Sequence, residues 1–220
     1  MLFRSVAATG EWRDLSVSRK ITAQLLKLHE TAKPEHIASG LTWYGAANKE
    51  AWRLSIAYDL AMKQAAGVIA VLSPGCEWSK NLEYAYMLIG AWYLGRRGAE
   101  LPMVGVYGKK NLDKAVRILS GEDPEVVIPD KSRKVKAFYR CILSPETSQD
   151  VVIDRHAKCA ALSARSRRSG YASQDTAVTD KEYLELAAVY GKIAKRLGYL
   201  PSEFQAIIWV TWKGQAEKNG

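Results

Sequence analysis

The chain has 220 residues, of which 48% are hydrophobic and 25% charged, a composition that excludes a disordered or fibrous protein and leaves ample length for a packed core. A formal net charge of +9 favours polyanionic partners, and no apolar run approaches the roughly 18 residues of a membrane span. The three cysteines, Cys76, Cys141 and Cys159, form no Cys-x-x-Cys pair, and His29, His36 and His156 are equally scattered, so neither a metal site nor a cofactor is expected.

Met1-Leu2-Phe3-Arg4 is followed by polar and charged residues rather than by the apolar stretch of a secretory signal, which makes the cytoplasm the expected location. Residues 17–30 place Ile21, Leu25, Leu26 and Leu28 at helical spacing. Pro34 and Gly40 punctuate the next stretch. From Tyr44 to Leu72 the chain is rich in Ala, Leu and Met and reads as a long helix that Gly67 divides. Ser73-Pro74 has the order of an N-cap followed by proline at the first helical position, predicting a helix through Trp78, Leu82 and Ile89 that stops at Gly95.

Residues 95–108 read as a connector, and Asn111 or Asp113 as the cap of a short helix ending near Leu119. An acidic loop over 120–129 precedes a helix from about Ser132 to Leu143, and the apolar run Val151–Ile153 leads to a helix opening at Asp154. Residues 163–179 read as an exposed loop, followed by helices at about 180–197 and 201–214, the first ended by Gly198 and the second opened by Pro201. Strand-like runs are too few for a doubly wound sheet, and the glycine-rich nucleotide loops are missing. An all-α single domain over residues 1–220 is expected.

The charge is concentrated. Residues 131–168 hold ten Lys/Arg against Glu146, Asp150 and Asp154, giving seven of the nine net charges. Within this stretch stand Ile128-Pro129-Asp130-Lys131-Ser132-Arg133-Lys134 and, twenty residues on, Asp154-Arg155-His156. This arrangement resembles the helix-hairpin-helix DNA glycosylase superfamily, in which a Leu-Pro-Gly-Val-Gly-Arg-Lys hairpin precedes a catalytic aspartate. Asp130 and Ser132 stand where that family has glycines. The resemblance covers about residues 67–162, with flanking helices on either side.

The resemblance implies Asp154 as the carboxylate that stabilises charge developing on a sugar, and Lys134 as an amine nucleophile, with Lys136 as its rival. By themselves the residues point first to a plain helix-capping role for Asp154 and a solvated one for Lys134. Lys131, Arg133, Lys136, Arg155 and Lys158 are the expected phosphate contacts. Trp43, Tyr44, Trp78, Asn81, Tyr139, His156 and Gln205 are the candidate lining for a nucleobase, against the ordinary alternative that the aromatics are core. Gln205, Trp209, Trp212 and Lys213 fall near one face of the last helix.

Three functions remain in view: an enzyme acting at the glycosidic bond of a flipped or modified base, a phage-type transferase that modifies a hypermodified thymine, and a basic nucleic-acid-binding protein without chemistry. All three imply DNA as partner. The oligomeric state is left open.

Overall fold

The computed structural model describes residues 11–163 and 177–217. Those residues form ten α-helices and no strand. In chain order these are α1 (Glu11–Glu30), α2 (Pro34–Ala57), α3 (Met62–Leu72), α4 (Trp78–Tyr93), α5 (Lys109–Leu119), α6 (Pro124–Val127), α7 (Arg133–Leu143), α8 (Arg155–Leu162), α9 (Asp180–Leu197) and α10 (Pro201–Glu217). One short 3-10 turn, Gly98–Glu100, lies in the connector between α4 and α5.

The core is organised around α3. Every residue from Ala65 to Leu72 is buried, as expected of a helix that is apolar on all sides and therefore enclosed by others. Helices α2, α4, α5 and α7 pack against it. A second apolar cluster joins α1, α8, α9 and α10 through residues such as Leu25, Cys159, Tyr190 and Phe204. Helix α10 unites the two, contributing Ala206 to the first cluster and Phe204, Ile208 and Trp212 to the second. The chain is thus one helical domain.

The segment Val151–Val152–Ile153 stitches the clusters together. Side chains of an extended backbone alternate in direction. Val151 and Ile153 enter the second cluster, while Val152 enters the first. All three are buried, so the backbone at Asp154 is fixed from both sides.

Two expected boundaries are corrected. Gly67 does not divide a helix; it lies inside α3, where a Cβ would come within 2.8 Å of Pro124 Cγ, so its smallness admits the α6 turn. The break falls instead between Ala57 and Met62, where Asp59 adopts φ 49°. Ser73-Pro74 does not open a helix either. Ser73 closes α3, its hydroxyl donating to the Ala70 carbonyl, and α4 begins later at Trp78. The loop expected over 163–179 lies largely outside the described residues, as do Arg165, Arg167 and Arg168 of the basic stretch.

Candidate functional site

Three helix starts meet at one open cleft of about 320 Å³. The beginning of α7 supplies Ser132, Arg133, Lys134 and Val135, preceded by Lys131. Helix α8 supplies Ile153, Asp154 and Arg155, and α9 supplies Val178, Asp180 and Tyr183. A helix N-terminus carries partial positive charge and unpaired backbone amides, so this convergence favours an anion before any side chain is counted.

The three starts differ in how they are closed. Asp154 Oδ1 accepts from the Ala157 amide at 2.8 Å, capping α8. Thr179 and Glu182 close α9 with a reciprocal capping box. Helix α7 has no side-chain cap at Ser132 and no acid in its first turn. Around it stand the cations Lys131, Arg133, Lys134 and Arg155, against Asp154 and Asp180. Arg133 pairs loosely with Asp180, at 3.6 Å.

The cleft thus brings together the expected catalytic pair, Lys134 and Asp154, and three of the expected phosphate contacts, Lys131, Arg133 and Arg155. Lys136 and Lys158 are corrections. Lys136 Nζ bonds to Asp130 Oδ1 at 2.5 Å and lies 3.6 Å from Glu125, one helical step away from the cleft face. Of the two lysines, Lys134 lines the cleft and Lys136 does not. Lys158 is buried, donating to the Ala177 carbonyl at 2.7 Å and pairing with Glu182 at 2.8 Å. Both ammonium groups have local acidic partners.

Of the expected nucleobase lining, four residues belong to the interior. Tyr139 is buried on α7, and burial pushes its hydroxyl up to about 12. Asn81 is 1% exposed, and no other described residue hydrogen-bonds its side-chain amide. Tyr44 donates to Gln205 Oε1 at 3.0 Å in a buried α2–α10 bond, so Gln205 is engaged there. Burial raises the Tyr44 hydroxyl well above its ordinary pKa, with Cys141 and Asp154 adding to the shift. These side chains are buried, and none of them lines the cleft.

Trp43, Trp78 and His156 are half-buried. Trp43 touches Trp78 with ring centroids 5.3 Å apart and Trp209 at 6.2 Å, above the more buried Tyr44 and Phe138. His156 meets Trp209 edge-on at 6.3 Å. Burial lowers the His156 pKa; the charge of Asp154 opposes this, while the cations Arg155, Lys213 and Lys134 reinforce it. Lys213 itself sits 4.6 Å from the Trp209 ring centre.

The residues missed in sequence are Asp180 and Tyr183. Tyr183 donates to the Val151 carbonyl at 2.6 Å and so braces the cleft floor. The Thr-x-x-Glu box at 179–182 marks a helix start, but nothing local says that this start faces α7 and α8. Cationic character extends past the cleft as well. Lys114 on α5 has its pKa lowered by burial and further by Lys110 and Lys131. Among the described residues no group of three His, Cys, Asp or Glu is placed to hold a metal ion, and no helix is long and apolar enough to cross a membrane.

Searches of curated proteins and of solved structures return no match. The profile of one family, described as a family of unknown function (DUF7178), matches residues 11–216. The match spans nearly the whole chain, and the protein belongs to the DUF7178 family.

Proposed function

We propose that this protein binds the phosphate backbone of a nucleic acid in the cleft where α7, α8 and α9 begin. The observation that carries the reading is the uncapped start of α7 with Lys131, Arg133, Lys134 and Arg155 gathered around it. Open backbone amides and guanidinium forks suit phosphate oxygens. A polymer fits better than a single small anion, because like charge extends beyond the cleft residues, with Lys110 and Lys114 near Lys131 and with Lys213 near His156.

Binding of a labelled oligonucleotide by anisotropy, at several salt concentrations, tests the reading. The expected result is a steep fall in affinity with salt, and a shallower slope for Arg133→Glu and Arg155→Glu. Equal affinity for the wild type and both variants at every salt concentration would overturn it.

A second reading, chemistry at a DNA sugar as in the glycosylase resemblance, is favoured by one observation: Lys134 and Asp154 line the same cleft. The helix before the expected hairpin is a single turn, Pro124–Val127, and Asp130 turns its charge onto Lys136. Product analysis separates the possibilities. Abasic sites support excision, intact strands carrying an adduct support transfer, and unchanged DNA that remains bound leaves binding alone.

A further inference from the structure

We infer that the tryptophan shelf next to the cleft stacks unpaired nucleobases, so that the ligand is single-stranded nucleic acid rather than closed duplex. This rests on the reading of the cleft as the phosphate site. Trp43 from α2, Trp78 from α4 and Trp209 from α10 come from distant parts of the chain, yet form one contiguous group. None of the three is enclosed: each is half-buried, while Phe138 and Tyr44 fill the layer below. Partly exposed aromatic rings packed on a buried layer offer apolar surface of the kind on which bases stack, whatever their sequence.

The shelf is joined to the cleft through His156. Its ring meets Trp209, and its titration responds to Lys134 on the cleft side and to Lys213 on the shelf side. Lys213 Nζ lies over the Trp209 ring, so a base stacking there displaces that ammonium, which is then free to meet the strand's phosphates. Charge complementarity therefore selects a polyanion that also carries flat apolar groups. A double helix keeps its bases stacked within itself and presents phosphates, sugars and base edges, but not base faces, to this surface.

The test compares a thymidine oligomer, an oligomer of the same length built from abasic sugar-phosphate units, and a duplex of equal length. The intact chain should bind the thymidine oligomer roughly tenfold or more tightly than the abasic one, the size of a stacking contribution. Trp209→Leu, which retains an apolar side chain, should remove most of that difference while leaving abasic binding unchanged; thermal melting of the variant verifies its fold. Equal binding of the thymidine and abasic oligomers by the wild type overturns the inference without any variant, and so does tighter binding of the duplex. If neither oligomer binds and Arg133→Glu changes nothing, the cleft reading itself has failed.

Discussion

Gly40 of α2 lies so close to Ile207 of α10 that a Cβ on it would fall 2.6 Å from the Ile207 Cα and backbone nitrogen. The contact is backbone against backbone, so no rotamer change relieves it. Both helices carry residues of the shelf, Trp43 and Trp209, and their approach sets how those rings meet. Gly40→Ala should therefore cost about 2–3 kcal/mol, in the range of overpacked cores. Gly45, in the same helix with nothing within 4 Å of its would-be Cβ, is the control: Gly45→Ala should stabilise by about 0.5–1 kcal/mol. Urea denaturation of the two variants checks the pair, and a similar cost at both positions would contradict the packing argument.

Asp154 holds α8 through the Ala157 amide. Asparagine caps as well as aspartate, whereas alanine does not. Asp154→Ala should lose about 1 kcal/mol and Asp154→Asn almost nothing. If the carboxylate also serves chemistry, Asp154→Asn ends turnover while melting like the wild type, a separation that an assay alongside calorimetry reads directly.

His156 makes stability depend on pH. Its pKa is lowered in the folded chain, first by burial and then by Arg155, Lys213 and Lys134 acting against Asp154. Between the folded value and the ordinary value near 6.5, the unfolded chain binds the extra proton, so stability rises with pH across that window. Above about pH 6.5 both states are neutral and the group has no effect; below it the folded chain is progressively destabilised, because it takes up the proton less readily than the unfolded chain. His156→Gln should flatten the melting temperature over this range. An unchanged slope would assign the dependence to other groups.

Lys158 and Glu182 form a pair buried on the lysine side and open to water on the other. Glu182→Gln leaves the ammonium with the Ala177 carbonyl as its remaining described acceptor and weakens the box that opens α9. A loss of about 2 kcal/mol is expected, less than for a fully enclosed pair because solvent reaches the Glu182 side. The ordinary Glu182 carboxylate is held below its usual range by the hydrogen bond from Lys158 and by the Thr179 amide, so this stabilisation disappears as pH falls through the low-carboxylate range. Melting curves of wild type and variant at pH 7 and at pH 3 should converge at the acidic end.

Local chemistry made much of the helix pattern legible. Gly198 ends α9 in the left-handed conformation, Pro201 opens α10, and the aspartate after Val-Val-Ile caps α8, each position dictated by backbone geometry within a few residues. Gly67 and Ser73-Pro74 misled because their local signals were outweighed by distant partners, Pro124 in one case and the end of α3 in the other. The cleft was half legible. Lys134 and Asp154 were paired only by the family resemblance, and the separation of Lys134 from Lys136 depends on which way α7 turns its first residues. Asp180 and Tyr183 join the site only through packing of α9 against the 151–153 segment, which no short-range pattern records. Tyr44 and Gln205 are buried for the same reason, engaged with each other, since polarity beside aromatics marks a buried bond as readily as a binding surface; Asn81 is buried with no hydrogen-bond partner among the described residues.

The valine-valine-isoleucine stitch has a thermodynamic corollary. Because alternate side chains of that short stretch anchor in different halves of the interior, loosening either half removes the floor on which the anion-facing helix starts are arranged. An occupant of the hollow would then be linked to the unfolding of the entire molecule, and saturating it should displace the whole melting transition upward instead of protecting only one corner.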